Sequence, residues 1–222
     1  MNKHYWLGVC SGVLSSILII WLGFLLQTKT QLISPVEEFQ LKSDKPLDKY
    51  TIENLRQRKF LPSEIIMDEL VETSALFTAQ TFYFISDGKK VTGLAHIPQG
   101  SSHQKFPVIV QFRGYVDKDI YKPGMGTKRS AEVYAQNGFL SLAPDFLGYG
   151  GSASPSADIF EQRFETYTTA ANLLASISTL PQADAAKIGI WGHSNGGHIA
   201  LTVLEITGEP YPTSLWAPVT RQ

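Results

Sequence analysis

A chain of 222 residues, 43% of them hydrophobic, is long enough to bury one sizeable core and too short for several full domains. Nineteen basic against 20 acidic residues leave a net charge of −1, and with no basic block or arginine-rich face this argues against nucleic acid as a partner. Cys10 is the only cysteine, so an intramolecular disulfide and a cysteine-based metal site are excluded.

Residues 5–26 carry no formally charged side chain. As a helix they would reach about 33 Å at 1.5 Å per residue, enough to cross a bilayer's hydrocarbon core. Tyr5, Trp6 and Trp21 suit interfacial positions. No small-residue cleavage site closes the stretch, so residues 1–27 read as an uncleaved signal anchor, with a cleaved signal peptide and a buried soluble helix as alternatives. Most of the apolar run lies after Cys10, the wrong side for a lipoprotein box, and Cys10 reads as a small membrane-facing residue. A short N-terminal tail kept inside puts the rest of the chain outside the cytoplasm, as a single-pass membrane protein or, after cleavage, a secreted one. Residues 28–76 read as a polar tether with Pro35 and Pro46, followed by a short helix at 51–56 that Thr51 caps and the Pro62 region ends.

From residue 77 onward the pattern is that of a folded domain. Alternating apolar residues on either side of Asp87-Gly88 predict a hairpin over 77–97. Residues 107–112 read as a buried strand and 128–137 as a helix packed through Ala131 and Ala135 and closed by Gly138. The next strand, 139–143, is stopped by Pro144-Asp145. Phe160, Phe164, Tyr167, Ala171, Leu174 and Ile177 recur at helical spacing and predict an amphipathic helix that ends before Pro181. Residues 187–191 form a short apolar run, the stretch from Gly196 follows with helical apolar spacing at Ile199, Val203 and Ile206, and 213–217 reads as a last strand. Strands that alternate with helices in this way predict α/β architecture with a mainly parallel sheet.

Between the strand at 187–191 and its helix lies Gly192-His193-Ser194-Asn195-Gly196, a G-x-S-x-G sequence. A serine at the apex of a sharp strand-to-helix turn leaves no room for bulk two residues before or after it, which is why glycine occupies both places. The helix that follows offers free backbone N–H groups to a developing oxyanion. The histidines and acids elsewhere read differently. His193 points away from such a pocket, His198 sits one turn into the helix in a packing role, and Asp145 shapes a loop. His96 and His103 belong to the hairpin and its loop, and His4 to the N-terminal tail. No cluster of His, Asp and Glu has metal-ligand spacing, and nothing calls for a cofactor.

Four motifs in order make residues 50–222 resemble the α/β-hydrolase fold, and within it the prolyl oligopeptidase family of serine hydrolases. They are Ser86-Asp87-Gly88 with Val91-Thr92-Gly93-Leu94, then Arg113-Gly114-Tyr115, then the loop from Asp145 through Gly148, Gly150 and Ser152, then Trp191-Gly192-His193-Ser194-Asn195-Gly196-Gly197. The resemblance implies that 77–222 is part of a hydrolase domain, Ser194 its nucleophile, and the backbone N–H groups of Asn195 and Tyr115 its oxyanion donors. Arg113 stands where that family usually has histidine, a departure that changes what supports the loop and leaves the donor in place. In this fold the catalytic acid and histidine follow the nucleophile on loops after two further strands, so the resemblance implies a catalytically incomplete chain that reads as a fragment.

The functions in view are therefore a membrane-anchored serine hydrolase of prolyl oligopeptidase type acting on peptide or ester bonds, and a carboxylesterase or dienelactone-hydrolase-like esterase. A third is a non-catalytic tethered binding module on a hydrolase scaffold. No propeller-like segment precedes the domain, which favours small esters or short peptides as substrates. Oligomeric state is not encoded.

Overall fold

The structure is a computed structural model and describes residues 17–18, 20–22, 45–101 and 104–219. The chain divides into two units, 1–45 and 46–222. In the first, residues 17–18 and 20–22 are helical, with the side chains of Ile17, Leu18, Ile20, Trp21 and Leu22 exposed. The rest of the expected anchor, with His4 and Cys10, lies outside the described residues, as does His103. No described helix is long and apolar enough to cross a membrane.

The second unit is built on one seven-stranded sheet in the order β1-β2-β3-β5-β4-β6-β7. The strands are β1 (Ile66–Thr73), β2 (Phe77–Ser86), β3 (Lys89–Pro98), β4 (Phe106–Phe112), β5 (Leu140–Pro144), β6 (Ala183–His193) and β7 (Thr213–Trp216). Four helices connect or flank them: α1 (Ile52–Gln57), α2 (Lys128–Gln136), α3 (Ile159–Ser176) and α4 (Asn195–Thr207).

The sheet is mixed rather than uniformly parallel, and connection length explains the division. β4 pairs in parallel with β5 and β6, and β6 with β7, because a helix lies in each crossover. β1, β2 and β3 are joined by short turns and so pair antiparallel, and β3 also meets β5 antiparallel. The β2–β3 turn needs positive φ at both central residues, and Asp87 at 50° with Gly88 at 77° supplies it.

β1 lies in the stretch that the sequence assigned to tether and short helix, so the sheet begins eleven residues or so before the expected hairpin. Asp68, Glu69 and Glu72 interrupt its apolar residues, and its pairing with β2 shifts register twice, so no period of two is visible. Such a charged, irregular edge strand resists pairing with another chain.

The core is where the pattern placed it. Phe82, Phe84, Val91, Val108, Val110, Phe112, Leu140 and Leu142 line the sheet with essentially no exposure, and Ala170, Leu173, Ile199 and Val203 meet it from α3 and α4. Full burial of side chains of this size contributes about 1.5–3 kcal/mol each. The helix ends also follow local chemistry. The Thr51 hydroxyl accepts from the Asn54 N–H at 3.3 Å, the Asp158 carboxylate accepts from the N–H groups of Phe160 and Glu161, and Gly138, at φ 84°, follows α2.

Candidate active site

The C-terminal ends of β4, β5 and β6 lie side by side, and each carries a loop residue named by the sequence: Arg113-Gly114-Tyr115, Asp145 and Ser194. In an open sheet whose strands run parallel, ligands enter at this end.

Ser194 sits between β6 and α4 with φ 52° and ψ −118°. A non-glycine residue in that region costs of order 1–3 kcal/mol and survives only where the surroundings enforce it. The enforcement is visible in the glycines. A Cβ on Gly196 would lie 1.8 Å from the Phe112 carbonyl oxygen, and one on Gly192 would lie 2.7 Å from the Gly196 carbonyl oxygen. One on Gly197 would lie 2.6 Å from the Pro218 Cβ. The turn is thus wedged between the end of β4 and the chain beyond β7. Backbone bonds tie it down: the Ser194 N–H donates to the Trp216 carbonyl at 3.0 Å, and the Ser194 carbonyl accepts from Gly197 and Val219, both at 3.0 Å.

The loop after β4 reaches the same place. A Cβ on Gly114 would come within 3.2 Å of the Ser194 Cβ, so glycine is what allows this close approach. Tyr115 follows it with its ring largely exposed. The structure therefore brings Ser194, Asn195 and Tyr115 together, and neither the Asn195 nor the Tyr115 backbone N–H donates a hydrogen bond to a described residue. Tyr115 and Asn195 border a cleft of about 470 Å³ that Phe146, Leu147 and Ile199 also line. A larger groove, about 980 Å³, is lined by Trp191, His193, Trp216 and residues 122–130 and contains neither Ser194 nor the two free N–H groups. The smaller space is the one that Asn195 and Tyr115 border, and Ser194 itself lines neither.

Asp145 is fully buried and belongs to the scaffold. Its carboxylate accepts from the Thr92 hydroxyl at 2.6 Å and the Tyr121 hydroxyl at 2.5 Å. Burial raises its pKa, against the pull of those two hydroxyls and of Arg113, and burial first, then Asp145, pushes the Tyr121 hydroxyl up as well. Arg113 takes up the support that the loop needs. Its guanidinium donates to the Gly114 carbonyl at 2.9 Å and the Asp145 carbonyl at 3.1 Å, and its carbon lies 4.6 Å and 4.1 Å from the ring centres of Tyr121 and Tyr149. A planar cation that bonds two carbonyls while stacked against aromatic rings holds the loop where a histidine could make fewer contacts.

The histidines are occupied elsewhere. His198 Nε2 lies 2.9 Å from the Tyr167 hydroxyl and its ring meets that of Tyr167 edge-on. His193 lies beside Trp191 with ring centres 6.2 Å apart. His96 is buried on β3 near Phe77, with both ring nitrogens lacking a hydrogen-bond partner among the described residues, and burial lowers its pKa to about 4. Among the described residues no group of His, Cys, Asp and Glu is assembled to hold a metal ion. Two charged cleft residues went unremarked in the sequence, Lys118 and Arg163. Arg163 carried a signal, since it falls three residues after Phe160 and four before Tyr167, a cation on the packing stripe of α3.

No family model and no curated protein matches the chain. Solved structures do. The chain is similar to an acetyl xylan esterase from a Paenibacillus species, with TM-score 0.54 and 21% identity over 72% of this chain and 54% of that one. It is similar to acetyl xylan esterase 1 from a Thermoanaerobacterium species, with TM-score 0.55 and 17% identity over the same shares. It is also similar to a dienelactone hydrolase-like promiscuous phosphotriesterase from metagenomic libraries, with TM-score 0.51 and 19% identity over 65% of this chain and 60% of that one. The fold is that of the α/β-hydrolases. The chain spans about half the length of the acetyl xylan esterases it matches.

Proposed function

We propose that Ser194 is the nucleophile of a serine esterase and that this chain contributes the nucleophile turn and the oxyanion donors to its active site. The observation that carries the reading is a serine held at positive φ beside two uncommitted backbone N–H groups at the edge of a cleft. In the proposed reaction the Ser194 Oγ attacks an ester carbonyl carbon, and the hydroxyl proton passes to a base. The carbonyl oxygen becomes an oxyanion that accepts from the N–H groups of Asn195 and Tyr115. Collapse expels the alcohol, which takes a proton, and water then releases the acid and restores the serine. A base and an acid that orients it complete such a site. Among the described residues no hydrogen bond joins the Ser194 hydroxyl to a carboxylate or an imidazole, with His198 turned to Tyr167 and His193 beside Trp191.

Ester substrates are favoured over peptides by the small, partly apolar cleft and by the fold's likeness to proteins described as esterases. A peptidase of prolyl oligopeptidase type rests on the four motifs alone. The uncharged stretch 5–26 supports the further proposal that a signal anchor tethers the domain outside the cytoplasm.

The reading is tested by labelling the chain, and any longer form of the protein, with a fluorophosphonate probe beside Ser194→Ala. The serine-esterase reading expects labelling that disappears with the substitution. A labelled Ser194→Ala protein would refute it, and absence of labelling in every form would favour the tethered binding module. Hydrolysis of 4-nitrophenyl acetate against a prolyl-peptide anilide then separates esterase from peptidase.

A further inference from the structure

The cleft beside Asn195 has an unbalanced charge. Arg113, Lys118 and Arg163 line it, and no carboxylate does. Arg113 has two carbonyl acceptors and Asp145 nearby, with its buried Nε left unpaired among the described residues. The other two cations have no acidic partner there. Lys118 enters no ion pair with a described residue, and its ammonium lies 5.4 Å from the ring centre of Tyr149. Arg163 donates through Nε to the Tyr167 hydroxyl at 2.7 Å, while its Nη2 is shielded from solvent and has no partner among the described residues.

A guanidinium N–H that is both dehydrated and unpaired is unfavourable unless something else brings an acceptor. The acids of its own helix do not. Glu161 is engaged by Lys49, Tyr50 and Ser156, and Glu165 by Lys89 and Ser156. The Arg163 guanidinium is also held in place, because the Tyr167 hydroxyl that accepts from it lies 2.9 Å from His198 Nε2 on α4. What remains is a charged group in the cleft lining, held by Tyr167, whose Nη2 has no acceptor among the described residues.

Resting on the reading of Ser194 as nucleophile, we propose that the cleft selects esters that carry a carboxylate, bound by Arg163 with Lys118 as a second cation. A carboxylate is the acceptor that pairs most strongly with a guanidinium. Phe146, Leu147 and Ile199 in the same lining suit a short aliphatic spacer between the carboxylate and the ester. The substrate class is therefore the monoester of a short dicarboxylic acid.

Binding tests this apart from catalysis, with the full chain carrying Ser194→Ala titrated calorimetrically at low salt. The ligands are monomethyl glutarate, an anion, and dimethyl glutarate, its neutral counterpart. The expected result is about tenfold tighter binding of the monoester, as one charge-assisted contact supplies. Arg163→Gln erases that preference, Arg163→Lys retains part of it, and Lys118→Gln, at an exposed position whose loss cannot unfold the core, reduces it a few-fold. Equal binding of the two esters, binding of neither, or a preference that survives Arg163→Gln would overturn the proposal. Because these titrations need no nucleophile, a failure of fluorophosphonate labelling sinks the esterase reading without deciding them.

Discussion

Ser194 and Asp145 stand at the C-terminal ends of two strands that flank β4, and they could hardly be treated more differently. Ser194 is held by backbone and by the absence of side chains around it, and among the described residues no hydrogen bond joins its hydroxyl to a carboxylate or an imidazole. Asp145 is held by side chains, with both carboxylate oxygens taken by hydroxyls and a guanidinium packed against its tyrosine partner. A polar residue at the end of a strand is a candidate for chemistry only if the fold strains its backbone and leaves its reacting atom free. One that is buried and saturated holds the loop.

The widest break in that comparison comes from the glycines. Gly196→Ala puts a methyl group inside contact distance of the Phe112 carbonyl, so urea denaturation should show a loss of more than about 4 kcal/mol or no folded protein at all. A variant that folded normally would mean that the turn is not wedged. Asp145→Ala comes next. It leaves the Thr92 and Tyr121 hydroxyls without their acceptor and Arg113 without its counter-charge, for an expected loss of about 3 kcal/mol. Loss of serine labelling in Asp145→Ala molecules that remain folded would move Asp145 into the chemistry.

His96 sharpens the contrast, as a buried polar group that has no partners. Its unfolded-state pKa is about 6.5 and its folded value about 4, so the unfolded chain binds the proton first as pH falls. The stability it contributes is complete above pH 6.5 and is lost between there and pH 4, to the extent of about 3 kcal/mol. His96→Leu should flatten the pH dependence of urea stability in that window, and an unchanged slope would show that the imidazole finds a partner. The smallest expected effect is at the serine itself. Ser194→Gly relieves the positive φ and should raise the melting stability by about 1 kcal/mol, while Ser194→Ala changes it by less than about 0.5 kcal/mol. A large destabilisation by Ser194→Ala would mean that the hydroxyl is structural.

Most of the parallel half was legible in the chain. The helices at 128–136 and 159–176, the strands β4 to β7 and the hairpin all announce themselves through apolar spacing and turn residues. β1 did not, because an edge strand that is exposed at six of its eight residues and shifts register twice has little hydrophobic period to show. The mixed character of the sheet comes from the hairpin, which the sequence shows, from the missed strand, and from the pairing of β3 with β5, a contact between residues far apart in sequence.

By itself the sequence determined the turn that carries Ser194, since only glycines at 192, 196 and 197 can let β6, α4 and β4 approach so closely, and the glycines are written in the chain. It also determined which residues are apolar enough to form the core. Only the tertiary structure decided which polar groups are spent and which are free. Asp145, His198 and Arg113 find their partners across tens of residues, and Lys118 and Arg163 are left over in the cleft for the same reason. Local spacing can encode a backbone conformation, but satisfaction of a hydrogen bond depends on what the folded chain brings within about 3 Å.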